Sequence, residues 1–161
     1  MATVTVEMVG SEAILAKLQK LADARGSVKA GILENATSQG EMGTNTIERT
    51  SVLDYAPFLE FGTAGMPARP FLRTTFANHK HEWVEIVAKA LKGGAMPDAA
   101  LEYAGITMVA NIVDQIKSNM PPPNSASWVR YKQKHAPANA YNTLMFTGTL
   151  VHSIDHEVTP Q

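Results

Sequence analysis

The first thirty residues carry a strand pattern followed by a helix pattern. In "ATVTVEMVG", Val4, Val6 and Met8 alternate with polar residues, and this period of two is typical of a half-buried strand. Ser11 is a suitable N-cap for the next segment, and Gly26 lies just past its expected end. The apolar side chains of that segment share one helical face: Ile14, Leu15, Leu18, Leu21 and Ala22. We therefore predict that the chain opens with a strand and an amphipathic helix.

A second strand is predicted at "SVKAGIL", where Val28, Ala30 and Ile32 recur at every second position. We expect it to pair with the first strand. The segment 34–50, "ENATSQGEMGTNTIERT", is polar throughout and contains almost nothing to bury. A loop of this length is uncommon inside a compact domain unless it is functional or mobile. We interpret it as an arm or a lid.

The segment 55–76 combines aromatic residues, prolines, glycines and arginines. Ala56 precedes a proline and is expected to avoid the helical region, while Pro57 suits the first position of a helix. "PFLEFG" is then predicted to form one or two helical turns closed by Gly62, with an extended conformation as the alternative. In "TAGMPARP" (63–70) two prolines remove backbone donors and fix φ, which indicates a rigid elbow.

Two long helices are predicted after the elbow. The first begins at Pro70 and ends at "KGG", which supplies a basic last turn and a glycine stop. The second begins near Pro97 and must end before the prolines at 121–123. The apolar face of the first contains Leu72, Phe76, Trp83, Val87, Ala90 and Leu91, and that of the second contains Leu101, Met108, Ile112 and Ile116.

The C-terminal part of the chain is predicted to form a long loop followed by a strand. Residues 120–145 are expected to form a loop, with one helical turn around Ser127 to Gln133. In "GTLVHSIDHEVTP" the alternation from Leu150 to Val158 predicts a closing strand. The whole pattern predicts one domain over 1–161, with long loops at about 34–50 and 120–145. Its fold class is α+β, a small antiparallel sheet packed against two or three amphipathic helices.

Composition narrows the possible partners. Of the 161 residues, 45% are hydrophobic and 18% are charged, the latter below the average of about a quarter. This balance indicates that a partner protein covers part of the surface. The net charge of −1 and the absence of long Lys/Arg runs argue against a nucleic-acid or anionic-membrane binder. No cysteine is present, and neither a signal peptide nor an apolar run long enough to span a membrane is expected.

The histidines are the candidates for catalytic or metal-binding groups. His79 and His81 lie beside Glu82, and "HSIDH" places His152 and His156 four residues apart. Neither stretch has a Glu directly after the first His, as a metalloprotease helix requires, and a strand would separate the second pair by about 13 Å. Ser153 and its neighbours would point to opposite faces of the strand, so they cannot form a triad. We predict no catalytic residue, no metal site and no cofactor.

Aromatic and arginine side chains are the remaining candidates, because these types dominate the energy of protein interfaces. In the alternative interpretation, Glu60 is solvated or bonds an arginine of its own elbow, and Phe58, Phe61 and Phe71 pack the elbow on the core. The proposed contacts to a neighbouring subunit or partner are Phe58, Glu60, Phe61, Arg69, Phe71, Arg73, Trp128, Arg130 and Tyr131.

Three blocks of the sequence resemble one known family. "YAPFLEFGTAGMPARPFLR" contains an aromatic-rich "EFGT" segment that leads through "MPARPF" into a long helix. Downstream lie "IKSNMPPPNSASWVRYK" and "LMFTGTLVHSIDHEV". Their order and spacing, over about residues 28–158, resemble the tail-completion and neck proteins of tailed phages, the gene-ten-like tail components and virion morphogenesis proteins.

This resemblance implies a non-enzymatic structural protein that completes the tail or neck and joins it to the head. It implies a homo-oligomeric ring of six-fold or twelve-fold symmetry, contacts with neighbouring neck, tail-terminator or connector proteins, and DNA that passes through the channel without specific binding. The protein would reside in the virion and assemble in the host bacterial cytoplasm, without a membrane. The alternatives are a metal-dependent hydrolase that uses the histidines and a regulatory adaptor that binds one cellular partner.

Overall fold

The structure is a computed structural model that describes residues 26–33 and 51–160. The predicted first strand, the predicted first helix and the predicted arm at 34–50 lie outside these residues. The elements are β1 (Gly26–Ile32), α1 (Val52–Phe61), α2 (Phe71–Lys92), α3 (Pro97–Lys117), α4 (Ala126–His135), α5 (Thr149–His152) and β2 (Ile154–Pro160), with a 3₁₀ turn at Pro137–Asn139. The predicted α+β class with a small antiparallel sheet is confirmed.

The sheet joins the two ends of the described chain. β1 and β2 are antiparallel, with Gly26 opposite Pro160 and Ile32 opposite Ile154. The predicted closing strand begins four residues later than the alternation indicated, because Gly148 adopts a φ of 89° and starts the short helix α5. His152 therefore belongs to a helix, and the prediction that it lies on the strand with His156 is wrong.

Helix α1 starts earlier than predicted. Ser51 and Asp54 form a reciprocal capping box, in which the Ser51 hydroxyl accepts the Leu53 N–H at 3.2 Å and Asp54 accepts the Ser51 N–H at 3.0 Å. Pro57 consequently lies inside the helix rather than at its first position, and Ala56 is helical. The predictions for both residues are wrong, because a capping box upstream overrides the local preference of a residue before proline.

Helices α2 and α3 pack against each other, and α3 also contacts both strands. Both helices have nearly the predicted bounds. The interior line of α2 runs through Phe71, Thr75 and Trp83, whereas Phe76, predicted on that face, is 58% exposed. The Trp83 Nε1–H donates to Asn111 Oδ1 at 2.8 Å and thereby ties the two helices together.

The hydrophobic core lies where α1, the first turn of α2 and the second half of α3 meet the C-terminal elements. Phe71 is fully buried there, and each fully buried large apolar side chain contributes about 1.5–3 kcal/mol. Within the described ranges, no helix has the length and apolar character needed to cross a bilayer. The core consists of Val52, Ala56, Phe71, Ile112, Ile116, Met120, Leu144, Leu150 and Ile154.

The centre of α3 contains a glycine because the sheet approaches it closely. Gly105 is buried, and a Cβ placed on it would lie 2.2 Å from Cδ2 of His156 on β2. The His156 side chain is held in place by a 2.9 Å contact between Nε2 and Glu102 Oε1. Gly105 therefore allows β2 to lie directly on the helix.

We predict that Gly105→Ala destabilises the protein, although alanine is intrinsically better in a helix by about 1 kcal/mol. The clash with the imidazole forces β2 away from α3, so the net loss in free energy of unfolding should be about 1–3 kcal/mol. Urea denaturation measures it. Adding His156→Ala should recover part of the loss, and a more stable Gly105→Ala single variant would contradict this packing.

Candidate functional site

The elbow is organised around the carboxylate of Glu60, at the end of α1. Glu60 is only 4% exposed, and its carboxylate accepts the backbone N–H groups of Leu72 and Arg73, each at 3.0 Å. These donors belong to the first turn of α2, where the preceding Pro70 provides no side-chain cap. A negative group is favourable at this positive helix end. Glu60 thus caps α2 from another helix.

Arg73 completes this arrangement and extends it to the surface. Its Nε donates to Glu60 Oε1 at 3.0 Å and its Nη2 donates to the Glu60 carbonyl at 2.9 Å. The guanidinium lies over the ring of Phe61, with Cζ 4.7 Å from the ring centroid. Phe61 is 65% exposed and Phe58 is 54% exposed. We call Phe58, Phe61 and Arg73 the elbow surface.

Arg69, one residue before Pro70, points inward. It is 6% exposed; its Nη2 donates to the Pro122 carbonyl at 2.9 Å, and its backbone N–H donates to the Leu59 carbonyl at 2.8 Å. Burial lowers the pKa of its guanidinium. Arg69 therefore fastens the elbow to the loop that follows α3.

A second buried cation, Lys132 of α4, lies close to Arg69. Its Nζ donates to the Asn142 carbonyl at 2.5 Å and to the Met145 carbonyl. Burial, followed by the positive charge of Arg69, lowers the pKa of Lys132. Within 26–33 and 51–160, neither cation has a carboxylate at ion-pair distance. Main-chain carbonyls hold both charges.

An asparagine joins the two cations into one network. Asn124 Oδ1 accepts Arg69 Nη2 at 3.5 Å, and Asn124 Nδ2 donates at 2.9 Å to the Asn142 carbonyl that Lys132 also bonds. We call Arg69, Asn124, Asn142 and Lys132 the polar bridge. It links the elbow to α4, so part of the segment predicted as a loop at 120–145 is held in a defined position.

The exposed face of α4 carries stacked rings. Trp128 and Tyr131 are stacked with centroids 5.2 Å apart, and Tyr131 stacks on His135 at 4.3 Å. Phe146 is tilted against both Trp128 and Tyr131. A groove beside the rings is lined by Arg130, Tyr131, Gln133, Lys134 and His135. We call Trp128, Arg130, Tyr131, Lys134 and His135 the α4 surface.

The nine sequence-predicted interface residues fall into two groups. Glu60, Arg69 and Phe71 are buried within the chain, where they support the elbow from inside. For Glu60 the alternative of an arginine partner in the same elbow is confirmed. The other six side chains are exposed: Phe58, Phe61, Arg73, Trp128, Arg130 and Tyr131.

Sequence reasoning missed the contribution of Lys132, His135 and Phe146. The signal for the stacked rings was present, because Trp128, Tyr131 and His135 follow a three-and-four helical spacing. The burial of Lys132 had no signal, since a lysine in a basic, polar helix is usually solvated.

The histidines do not converge on a metal site. His79 and Glu82 bond each other at 2.8 Å on the surface of α2, and His156 bonds Glu102. The Ser153 hydroxyl donates to the Leu150 carbonyl at 2.8 Å. Among the residues that the structure describes, no group of three or more His, Cys, Asp or Glu could hold a metal ion.

Comparison of the chain with protein-family models, with curated proteins and with solved structures finds no match. The resemblance of the three sequence blocks therefore remains an expectation, and the site is interpreted from its own geometry.

We predict that Glu60→Ala lowers the free energy of unfolding by about 2–4 kcal/mol, because two helix N–H groups and the Arg73 guanidinium lose their acceptor. Glu60→Gln keeps one oxygen and should cost less than Glu60→Ala. Urea denaturation provides the values, with Ser51→Ala as a control for loss of an ordinary exposed cap. Equal and small effects of all three changes would contradict the central role of Glu60.

The lowered pKa of Lys132 predicts a pH dependence of stability. The unfolded chain holds this proton up to the ordinary pKa of 10.5, whereas the folded chain releases it earlier. The free energy of unfolding should therefore rise with pH between the pKa of Lys132 in the folded chain and 10.5. Below that range the ammonium is charged in both states, and the folded state keeps the full free-energy cost of burying it. We expect Lys132→Met to remove this rise.

Urea denaturation at several pH values up to about 10.5 measures the slope; tyrosines with an ordinary pKa near 10 titrate in the same range, so only the part of the slope that Lys132→Met removes belongs to this lysine. Arg69→Met should shift the rise to higher pH, because it removes a neighbouring positive charge. Lys117→Met, at an exposed lysine, serves as the control. A slope that Lys132→Met leaves unchanged would exclude this lysine as its source.

Proposed function

We propose that this protein is a structural component of a tailed-phage virion that completes the tail or neck and joins it to the head. The proposal is supported by the order and spacing of the three sequence blocks and by the placement of their side chains. The aromatic segment and the elbow surround Glu60, and the proline-rich block leads into α4. The "TGTL" block contains the Gly148 turn that precedes β2.

The observation that carries the proposal is the hydrogen-bonded connection between two exposed aromatic surfaces. The elbow surface is fixed from beneath by Glu60, and the α4 surface is fixed by Lys132. The polar bridge connects them through Arg69 and Asn124. A subunit that touches neighbours on two sides needs such surfaces at a constant separation and orientation, since an error in the angle would be multiplied around a ring.

The chemistry of both surfaces suits protein contacts. Exposed Phe, Trp, Tyr and Arg side chains provide large contact areas, and interfaces gain most of their binding energy from a few such residues. On the elbow surface, Phe61 is covered on one face by Arg73 and remains 65% exposed. Binding should cost little side-chain conformational entropy, because these side chains are already held in place in the free protein.

In this proposal the subunits form a ring around the DNA channel and contact the neck, terminator or connector proteins next to it. The formal net charge of −1 suits a channel wall that DNA passes without being gripped. No catalytic step is required of the protein.

We predict that Phe58→Ser with Phe61→Ser abolishes incorporation into particles while the monomer stays folded, because both rings are exposed. Phage whose own copy of the gene is deleted would be complemented with the variant, and plaque yield and electron microscopy of heads and tails would be measured. We expect a loss of infectious particles of at least about a hundredfold, with heads and tails left apart.

Val84→Ser is the matched control, since Val84 is 68% exposed on the same chain but about 16 Å further along α2 than Arg73. It should complement normally. If heads and tails join in the absence of the protein, the proposal is wrong. A stable one-to-one complex with a single host protein would favour the adaptor alternative, and a bound metal by elemental analysis would favour the hydrolase.

A further inference from the structure

The rings of the α4 surface are stacked on one another rather than splayed. Trp128 and Tyr131 are nearly parallel, with an interplanar angle of 8°, and they remain 41% and 47% exposed. Tyr131 stacks in turn on His135. Stacking occupies the ring faces, so the surface offers ring edges, which are electropositive and carry the N–H and O–H donors of Trp, Tyr and His.

Positive charge is concentrated in the same part of the chain. Residues 115–154 contain four Lys or Arg and no Asp or Glu, whereas the other 121 residues contain ten Lys or Arg and fifteen Asp or Glu. With Lys132 buried, Arg130 and Lys134 are the exposed cations of the α4 surface. Ring edges and cations together suit carboxylate groups.

Three carboxylates lie near the start of α3. Asp98 and Glu102 are one helical turn apart in the first half of α3, and Asp155 of β2 lies near them through His156. The side chains of Glu102 and Asp155 are 53% and 69% exposed. We call Asp98, Glu102 and Asp155 the acidic surface.

The two surfaces do not pair within one copy: in residues 26–33 and 51–160, no ion pair joins Arg130 or Lys134 to the acidic surface. Helix α3 rises about 22 Å between Glu102 and Lys117, after which the chain continues into α4. Complementary charges that are not paired with each other in one copy are available to pair between copies. Such a contact joins different surfaces of identical subunits, which is the geometry of a ring or filament.

We propose that the α4 surface of one copy docks onto the acidic surface of the next copy. This inference rests on the proposed self-assembling role and identifies the surfaces that would carry it. A second copy is favoured over nucleic acid, because bases bind by stacking on free ring faces and the rings of the α4 surface already stack on one another. The net charge of −1 also opposes binding to a polyanion.

Two neutralised variants of the full chain test the proposal. Arg130→Ala with Lys134→Ala disables the α4 surface, and Glu102→Gln with Asp155→Asn disables the acidic surface. Sedimentation velocity over a concentration series measures self-association. Each double variant should associate at least about tenfold more weakly than the wild type, and salt should weaken wild-type association, because exposed charges are screened.

Mixing the two double variants distinguishes a head-to-tail contact from general charge effects. The intact acidic surface of the first variant can meet the intact α4 surface of the second, and both remaining surfaces are disabled. The mixture should therefore form one-to-one dimers that do not grow further. Lys80→Ala with Lys89→Ala removes two exposed cations from α2 and should leave association unchanged. Circular dichroism verifies that all variants are folded.

Three outcomes would overturn the inference: wild-type association that the Arg130 and Lys134 changes leave intact, a mixture that stays monomeric, or a wild-type chain that remains monomeric at every concentration. Tight binding of a dT oligonucleotide that these two changes abolish would assign the α4 surface to nucleic acid instead. Particle incorporation in the complementation assay decides the virion role separately. A chain that is incorporated but fails the mixing test would retain that role and lose only this interface.

Discussion

The capping of α2 by Glu60 is the interaction on which the arrangement of this protein depends. A proline precedes α2, so the helix start cannot be capped by its own flanking side chain, and the carboxylate comes from the end of α1 instead. One group therefore fixes the angle between two helices and the path of the elbow between them. Phe71 enters the core and Arg69 enters the polar bridge because this corner is held in place.

The polar bridge fixes the position of α4 relative to the elbow more specifically than apolar packing alone would. Two cations are buried beside each other, which costs free energy, and the main-chain carbonyls of Pro122, Asn142 and Met145 compensate part of that cost. In return, the irregular segment between α3 and α5 receives directional bonds at several points. An apolar replacement would fill the space but would not define the position of α4 relative to the elbow with the same precision.

The surface chemistry follows from this scaffold. Aromatic side chains that could have completed the core are left outside at the elbow and on α4, where stacking and a cation over a ring preorganise them. Exposed carboxylates lie on the first half of α3, and exposed cations lie on α4. A single copy therefore leaves preorganised aromatic and charged side chains exposed, which supports the proposed role in assembly.

The sequence alone determined the α+β class, the two long helices and the irregular elbow, because apolar periodicity and proline or glycine stops are local properties. It also indicated that aromatic and arginine side chains near 58–73 and 128–131 were the residues to consider. The sequence could not determine which polar side chains face inward. Glu60, Arg69 and Lys132 are buried only because distant segments bring hydrogen-bond donors or carbonyl acceptors to them. A capping box likewise decided where α1 starts. The orientation of α2 on α3 decided that Phe76 is exposed. Tertiary structure thus separated the buried supporting residues from the exposed ones, because burial depends on partners that are remote in the chain.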